Sequence, residues 1–454
     1  MRILVVDHSG RGHAFADLFS RTSTSARIDY APGCAAIATP RVTSHPELAL
    51  ADPGAMVEFA RRERIDVAFV ANTMALANGF VDAFRAGGVP VIGPDREACR
   101  LETSKSYTKE LCRRYGIPVA DFAVFDGAAE AAEHVRRSPH PLVVKGDGLC
   151  AGNGSFVCDG ADDALAAIDR LMVERAFGAA GDRVVIERRL FGIELSYYAL
   201  LDGESYLVLP MAIDYPKSDD GNAGITCGGV GAFAPHPLES PDLVERVRAQ
   251  LLEPIVRCIA AEGLRYTGIL YLGCMLVGDQ AYLLEINVRM GDPEAEVALP
   301  RIETDFAALC EAVLERRLPR APIATNALTF CDVVLGQGRT RQIGEKGRSK
   351  GWYVGWPKGR FGRHYPITGL ERVDPATAKV FLGEASVLPG KGLVSDGGRV
   401  LHVVGIGETL AEASDNAYRN VGRIHFEGMR YRTDIGRTMP QPGLVAAVEE
   451  GAVR

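Results

Sequence analysis

The chain has 454 residues, 47% of them hydrophobic, so it is long enough for about three domains with sizeable cores. Its net charge is −7 without a long basic run, which predicts no nucleic-acid partner. The ten cysteines are scattered without a Cys-x-x-Cys pair, so we expect neither a zinc site nor a disulfide framework. No apolar run is long enough for a membrane span or a signal-peptide core. We therefore expect a cytoplasmic protein without a membrane partner.

The first hundred residues alternate between predicted strands and helices, beginning with a buried strand over 2–7 and a glycine-containing turn. The later elements are a helix near 55–64, a strand at 66–71, a helix near 75–87 and a strand at 89–93. This alternation predicts a doubly wound parallel sheet over 1–100. The turn lacks Gly-x-Gly-x-x-Gly spacing, so a nicotinamide-dependent oxidoreductase is the weaker alternative.

A helix is predicted just after residue 101, with Ser104 or Thr103 as its N-cap. Lys105 and Lys109 lie one turn apart on one face of this helix. Like charges at that spacing destabilise an isolated helix, which indicates an anionic partner for the pair. A solvated helix face is the alternative interpretation.

An apolar strand ends at Lys145 and leads into a loop with glycines at 146, 148, 152 and 154. Glycines allow the backbone to approach a phosphate closely, and a lysine on the strand supplies a point charge. The segment therefore predicts a phosphate-binding loop that includes Gly152 and Gly154. A flexible hairpin is the structural alternative.

The segment 279–296 carries the most informative pattern in the chain. Apolar and polar residues alternate up to Asn287, which predicts a strand with Glu285 and Asn287 on one face, roughly 7 Å apart. A carboxylate and an amide oxygen suit Mg²⁺, which accepts one or two protein oxygens beside water and phosphates. Arg289 follows in a Gly/Pro turn, where its guanidinium can bind a phosphate or carboxylate. An ordinary polar strand end is the structural alternative.

The sequence Glu-Ile-Asn-Val-Arg-Met-Gly-Asp-Pro-Glu-Ala-Glu at 285–296 resembles the signature of the phosphoribosylamine–glycine ligase (GAR synthetase) family of ATP-grasp enzymes. Within the signature, the chain departs at Met290, where the family has Leu or Phe. The resemblance covers nearly the whole chain in order, and it is also strong at 101–118 and 145–154.

This resemblance implies an α/β fold of three parts. They are an N-terminal doubly wound parallel sheet over 1–100, an ATP-grasp α+β domain over 101–320 with a lid over about 118–195, and a smaller C-terminal α+β domain over 325–454.

The resemblance also implies an ATP-dependent carboxylate–amine ligase of purine biosynthesis that forms an amide through an acyl phosphate and releases ADP and phosphate. The expected cofactors are ATP and Mg²⁺, which Mn²⁺ can replace. The expected partners are a small-molecule carboxylate and amine, and the chain is expected to be a monomer or a homodimer.

Roles for individual residues follow from the resemblance together with the chemistry of the side chains. Nucleotide binding is assigned to Lys105, Lys145, Gly152, Gly154, Glu187 and Glu194. Metal binding is assigned to Glu285 and Asn287. Arg289 is expected to steady the carboxylate or acyl phosphate, and Asp214 to hold the ammonium of an amino-acid substrate.

The chain departs from the family pattern mainly where the small substrates are chosen. Asn153 replaces a lysine of the phosphate loop, 71–76 replaces a Gly-Pro-Glu-x-Pro-Leu segment, and 215–217 and 225–227 replace family motifs in the substrate loop. We therefore expect a divergent member, with a changed acid or amine and a specialised pathway left open. An inactive or regulatory ATP-binding relative is the alternative.

Between 336 and 365 the resemblance fades, and Trp352, Tyr353 and Trp356 have no family counterpart. A local hydrophobic core is the favoured interpretation for these aromatic residues. A pocket or interface lining is the other.

Overall fold

The computed structural model describes residues 1–150, 152–343, 349–353, 355–441 and 443–444, without the side chains of 340–343 and 349–353. Trp352 and Tyr353 of the predicted aromatic group therefore lie outside the described side chains. Trp356 is described, and it packs onto the main core beside Gly336 and Gly398. A Cβ added at Gly336 would lie 2.7 Å from the Trp356 ring. The local-core interpretation therefore fits this tryptophan.

The N-terminal sheet has six strands in the order β3-β4-β2-β1-β5-β6, all parallel except the edge strand β3. The strands are β1 (Arg2–Asp7), β2 (Arg27–Pro32), β3 (Ala38–Thr39), β4 (Val42–Ser44), β5 (Val67–Val70) and β6 (Val91–Ile92). The helices are α1 (Gly10–Thr22), α2 (Pro53–Arg62), α3 (Thr73–Ala77) and α4 (Phe80–Ala86). This confirms the predicted doubly wound sheet.

The prediction of a single helix near 75–87 is wrong in one respect, because the structure has two helices there, α3 and α4. The break falls at Asn78 and Gly79, where Gly79 has φ +79°. A residue in the left-handed region cannot continue an α-helix, and glycine adopts it without a Cβ penalty.

The next segment forms a separate four-stranded antiparallel sheet in the order β7-β10-β8-β9, with two helices packed on it. Its strands are β7 (Phe122–Phe125), β8 (Leu142–Gly146), β9 (Ser155–Val157) and β10 (Val184–Arg188). The helices of this part of the chain are α5 (Arg100–Thr103), α6 (Lys105–Tyr115), α7 (Ala128–Arg137) and α8 (Ala161–Ile168).

Helix α6 begins as the sequence predicts, with Ser104 as its N-cap. The Ser104 hydroxyl accepts a hydrogen bond from the Tyr107 amide at 3.3 Å, and the Asp147 carboxylate accepts one from the Ser106 amide at 2.6 Å. Gly116, with φ +65°, closes the helix. The caps attach the start of α6 to the loop after β8.

A nine-stranded antiparallel sheet forms the centre, in the order β17-β16-β11-β12-β15-β18-β24-β21, with β25 beside β18. Its strands are β11 (Ile193–Leu201), β12 (Tyr206–Asp214), β15 (Gly231–Ala234), β16 (Gly268–Val277), β17 (Gln280–Asn287), β18 (Thr329–Gln337), β21 (Ala378–Leu382), β24 (Arg399–Gly407) and β25 (Met429–Arg430). Three two-stranded hairpins accompany it: β13 (Lys217–Asp219) with β14 (Ala223–Thr226), β19 (Thr340–Ile343) with β20 (Ser349–Tyr353), and β22 (Ala385–Leu388) with β23 (Gly392–Ser395). The helices are α9 (Pro241–Val247), α10 (Glu253–Ala261), α11 (Ala295–Ala298), α12 (Phe306–Leu314) and α13 (Leu410–Val421).

The central sheet does not stop where the predicted ATP-grasp segment ends. β15 pairs with β18, so the strands of the C-terminal region continue the same sheet. The α/β fold class with an ATP-grasp α+β centre is confirmed, while the domain limits at 100, 320 and 325 stay predictions.

Buried aromatic rings join the N-terminal sheet to the central part. Phe15 on α1 contacts Phe69 on β5 with 4.7 Å between ring centroids, and Phe19 contacts Phe306 on α12 at 5.4 Å. All four side chains are buried, and each contributes about 1.5–3 kcal/mol by leaving water. This packing fixes helix α1 of the N-terminal part against helix α12 of the central part.

All ten cysteines are buried free thiols. Among the described residues, every helix is too short or too polar to cross a bilayer.

Candidate active site

Three strands of the central sheet bring the predicted polar residues to one place. Ser196 on β11 pairs with Ala212 on β12, so two residues further on Glu194 and Asp214 come side by side. On the other side of β16, which pairs with both β11 and β17, β17 carries Glu285. Residues 20 to 91 positions apart in the chain thus come together on neighbouring strands of one sheet.

Glu285 and Asn287 lie on the same face of β17, as the alternation predicts. The Asn287 side-chain amide donates a hydrogen bond of 3.0 Å to Glu285 Oε1. Asn287 is buried and Glu285 is half-buried, so a ligand can reach the pair from the side of the Glu285 carboxylate. Two hard oxygen donors in this arrangement fit a Mg²⁺ ion.

Arg289 is held by its own chain. Its guanidinium donates to Glu102 Oε1 at 3.0 Å, to Asn287 Oδ1 at 3.1 Å and to the Thr73 hydroxyl at 3.0 Å. The arginine therefore lies against the Glu285–Asn287 pair, with Glu102 fixing its direction. Its expected contact with a carboxylate or acyl phosphate stays a prediction.

Asp214 lies in an acidic cluster made by Glu194, Asp214, Glu285 and Glu294. Burial raises the pKa of Asp214 well above its ordinary value, and the charges of Glu294, Glu194 and Glu285 raise it further. Burial also raises the pKa of Glu294, and that of Glu194, to which Glu285 adds. Glu194 is exposed to solvent and Asp214 is half-buried, although protein atoms crowd both carboxylates.

A second charged group, the lysine–glutamate triad, consists of Lys109, Glu187 and Lys145. Lys109 Nζ lies 3.1 Å from Glu187 Oε2, and Lys145 Nζ lies 2.9 Å from Glu187 Oε1. The three side chains are at most 8% exposed. Burial raises the pKa of Glu187, but the charges of Lys145 and Lys109 outweigh it and hold this pKa below its usual value.

The spacing of Lys105 and Lys109 left open whether they bind an anion or line a solvated helix face. Lys109 points inward, and its anionic partner is Glu187 of the same chain. Lys105 instead donates from Nζ to the Gly148 carbonyl at 3.1 Å, at the start of the glycine loop. The structure thus brings Lys105 and Lys145 together at the start of the predicted phosphate-binding segment, and their nucleotide contacts stay predictions.

The glycine loop contacts the polar segment 216–231, here called the substrate loop after the family's loop that it resembles. A Cβ at Gly152, where φ is +77°, would lie 2.9 Å from the Gly228 Cα, so two glycines meet backbone to backbone. A Cβ at Gly154 would lie 2.3 Å from the Cys150 Cβ. Both positions need glycine for close approach, whatever ligand the loop holds.

The substrate loop is more ordered than its polar sequence predicts. Residues 217–226 form the hairpin β13–β14, and Asp219 pairs with both Lys358 and Arg430 of the C-terminal region. Arg432 donates to the Lys217 carbonyl at 3.0 Å. The C-terminal region therefore supports this loop from behind.

The turn after β1 is closed by a carboxylate. Asp7 Oδ1 accepts hydrogen bonds from the His8 amide at 2.7 Å and the Ser9 amide at 3.1 Å, while Arg11 lies 2.9 Å from Asp7 Oδ2. A dinucleotide pyrophosphate uses backbone amides of such a turn. Their engagement by Asp7 counts against the oxidoreductase alternative.

Three residues of this region had no assigned role from the sequence: Glu294, Glu102 and Arg399. Glu294 stands in the same signature as Glu285, so its position was a usable signal. Arg399 extends from β24 and donates to the Gly228 carbonyl at 2.7 Å. No local pattern could place Arg399 there, because the contact spans 171 residues.

Three family models match the chain in order: Phosphoribosylglycinamide synthetase N domain at 1–102, ATP-grasp (A) domain at 103–295 and C domain at 354–438. The phosphoribosylamine–glycine ligase of Allochromatium vinosum is 37% identical over 96% of this chain and 98% of that protein. The chain belongs to the phosphoribosylamine–glycine ligase family. The enzyme of the same name from Archaeoglobus fulgidus is 35% identical over 97% of this chain and its own full length.

Solved structures agree with this family. The phosphoribosylamine–glycine ligase of Thermotoga maritima superposes with a TM-score of 0.77 at 29% identity, covering 96% of this chain and all of that one. A biotin carboxylase from Campylobacter jejuni, solved as a complex with an ATP analogue, superposes with a TM-score of 0.69 at 14% identity and shares the fold, covering 98% of this chain and 96% of that one. As a member of the phosphoribosylamine–glycine ligase family, the chain is an ATP-dependent, ADP-forming ligase of the ATP-grasp type.

Proposed function

We propose that this chain joins the carboxylate of a small α-amino acid to the amine of a phosphorylated sugar amine, with glycine and phosphoribosylamine as the first pair to test. The observation that carries the proposal is the acidic cluster. Four carboxylates meet there, and no lysine or arginine forms an ion pair with Asp214, Glu194 or Glu285 among the described residues. A metal ion and a substrate ammonium are the cations that such a cluster needs.

Each end of the cluster has its own role in this proposal. Glu285 and Asn287 supply oxygen ligands for Mg²⁺, which provides Lewis-acid help to phosphoryl transfer when bound. Asp214 and Glu294 hold the ammonium group of the amino acid. Arg289, already oriented by Glu102, faces the carboxylate that becomes activated.

In this proposal the nucleotide binds next to the acidic cluster, at the glycine loop. Lys105 and Lys145 lie at the start of the glycine loop, and Gly152 and Gly154 let its backbone approach the phosphates. Glu194 binds the ribose of the nucleotide in this proposal. Glu187 positions Lys145 through their 2.9 Å ion pair, and we propose that it contacts the nucleotide through this lysine.

The reaction then needs alignment and charge neutralisation more than a protein nucleophile. The substrate carboxylate attacks the γ-phosphorus of ATP and ADP leaves. The amine attacks the acyl phosphate, the C–N bond forms, and phosphate leaves with the bonding electrons while the amine gives up a proton. The closed contact between the glycine loop and Gly228 keeps water from the acyl phosphate.

The altered substrate loop bears on which amine is used. The loop is fixed to the C-terminal region through Asp219, Lys358 and Arg430, so its shape is set by this chain's own ion pairs. We propose that these contacts adapt the pocket to the substrate pair, in purine synthesis or in a specialised pathway.

The test is ADP release with Mg-ATP, glycine and phosphoribosylamine generated in situ, next to a panel of other amino acids and amines. Turnover with the first pair supports the proposal as stated. Turnover only with another pair keeps the ligase chemistry and replaces the substrates. ATP binding without ADP release for any pair contradicts the proposal and favours a regulatory relative.

A further inference from the structure

A second polar cluster lies behind the active site, where the signature segment meets the C-terminal region. It consists of Asp292, Glu296 and His402 and is here named the Asp292–Glu296–His402 cluster. Their side chains are 4%, 0% and 1% exposed. Asp292 and Glu296 flank the start of α11, whereas His402 is on β24. The proposed amide-forming reaction uses none of these three residues.

The three side chains converge on one point. His402 Nε2 lies 3.7 Å from Asp292 Oδ1 and 3.7 Å from Glu296 Oε1, and one donor atom from each residue lies within 4.8 Å of the others. A distance of 3.7 Å is too long for a hydrogen bond. It does leave a position about 2.1–2.4 Å from all three atoms, which is a metal–ligand distance.

The carboxylates of the cluster lack hydrogen bonds at three of their oxygens, and Glu296 has no guanidinium group beside it among the described residues. Both Glu296 oxygens and Asp292 Oδ1 are buried without a hydrogen bond. Arg399 Nη1 lies 2.8 Å from Asp292 Oδ1, but its hydrogens point to the carbonyls of Gly228 and Asp292 itself. A carboxylate buried in this way is strongly destabilising unless a cation or donor satisfies it.

The histidine is already oriented for a ligand. His402 Nδ1 lies 2.8 Å from Asp332 Oδ2, so Asp332 fixes the ring and turns Nε2 toward the two carboxylates. Metal-binding histidines in proteins are held by a carboxylate in this way. The Asp332 side chain is itself fully buried, which makes the orientation rigid.

The charge balance also calls for two positive charges. Arg11 pairs with Asp7 and Arg399 with Asp292, so in the described part of the chain His402 is the one basic side chain within ion-pair distance of Glu296 and Asp332. Arg11 and Arg399 act on Glu296 only from further away. Two carboxylates in excess of the guanidinium groups match one divalent cation.

We infer that the Asp292–Glu296–His402 cluster binds a divalent transition metal of the Zn²⁺ or Mn²⁺ type, separate from the metal of the nucleotide. Two carboxylate oxygens and an imidazole nitrogen suit these ions, whereas Mg²⁺ takes oxygen ligands. Since its ligands come from the signature segment and from β24, the ion links the active-site turn to the C-terminal region. Asp332 is a positioning residue for His402.

The first experiment measures metal in the full-length protein. Metal-free protein is titrated with Zn²⁺, Mn²⁺ and Mg²⁺ without nucleotide, and bound metal is counted by mass spectrometry. We expect about one tight equivalent of Zn²⁺ or Mn²⁺ and none of Mg²⁺. His402→Gln and Glu296→Gln lose it, and Asp332→Asn weakens it 10- to 100-fold. Glu285→Ala is the matched control, because it removes a ligand of the nucleotide metal and keeps this equivalent.

A spectroscopic measurement on the unmutated protein tests the inference even if the variants fail to fold. Electron spin echo spectra of bound Mn²⁺ should contain a nitrogen coupling from the His402 imidazole, since the Glu285–Asn287 pair offers only oxygen. Spectra with oxygen ligands alone would overturn the inference. So would the absence of tight Zn²⁺ or Mn²⁺, or equal binding by wild type and His402→Gln.

Discussion

The lysine–glutamate triad and the acidic cluster are neighbours, since Lys145 acts electrostatically on Glu194, and their charges are arranged in opposite ways. In the triad, two lysines surround one buried carboxylate, and their ion pairs measure 3.1 and 2.9 Å. In the acidic cluster, Asp214 faces three further carboxylates and its pKa rises well above the ordinary value. In the first region the buried carboxylate is already paired within the protein and the second lysine charge remains for a phosphate, whereas the second region depends on cations that substrates bring.

This difference separates structural from chemical roles. Removing a member of the triad should cost stability first, because it leaves a buried charge unpaired. Removing a member of the acidic cluster should cost activity and spare stability, because it relieves repulsion. Each of the following changes tests one side of that comparison.

The largest effect is expected for Glu285→Ala. Loss of one of two metal ligands should lower ADP release at saturating Mg²⁺ by about 10³-fold or more. The coupled ADP assay measures this directly. Glu110→Ala, which removes an exposed carboxylate of α6, should keep wild-type turnover. Near-normal turnover of Glu285→Ala would remove the metal assignment.

Lys109→Met should lower the free energy of unfolding by about 3 kcal/mol, because Glu187 then keeps a buried charge with one partner fewer. Urea unfolding checks the value. The double change Lys109→Met with Glu187→Met should be less destabilised than the single one. Lys379→Met, at the more exposed pair with Asp17, should cost less than about 1 kcal/mol. Equal losses at the two lysines would contradict the role given to the triad.

Asp214→Asn should raise the KM for the amino acid about 100-fold, since a charged hydrogen bond to an ammonium is worth about 1.5–3 kcal/mol. The KM for ATP should change little. The melting temperature should stay the same or rise, because one of four repelling carboxylates is gone. A lower melting temperature with an unchanged KM would assign Asp214 a structural role instead.

The smallest effect concerns pH. A carboxyl whose pKa is raised in the folded protein stabilises that protein below the pKa of the unfolded chain, and this stability is lost as pH rises through the folded pKa. Asp214 and Glu294 both have raised pKa values. Wild type should therefore lose stability from acidic to neutral pH relative to Asp214→Asn, in melting curves at matched ionic strength. A constant difference would contradict the raised values.

Much of this arrangement was predictable because it is local. The alternation on β17 placed Glu285 and Asn287 on one face, and the 3.0 Å bond between them confirms it. Ser104 was predicted as one of two candidate caps for α6. The parallel N-terminal sheet followed from the alternation of strands and helices. Each of these depends on neighbours within a few positions.

The rest depends on pairing between distant segments. Lys109 meets Glu187 across 78 residues, so the sequence could give its helix face but not its partner. The cluster around His402 joins segments more than a hundred residues apart. The substrate loop reads as an irregular polar segment, yet ion pairs with the C-terminal region stabilise it as the hairpin β13–β14. Tertiary contacts of this kind have no local pattern.

The continuous central sheet has a consequence for the order in which the chain is made. β15 ends at residue 234, but its neighbour β18 is complete only at residue 337. At a synthesis rate of roughly 5–20 residues per second, the edge of β15 stays bare for about 5–20 s on the ribosome. An uncovered strand edge invites pairing with other chains. The C-terminal region therefore also completes the sheet of the catalytic part, and slow translation across this interval favours aggregation of the nascent protein.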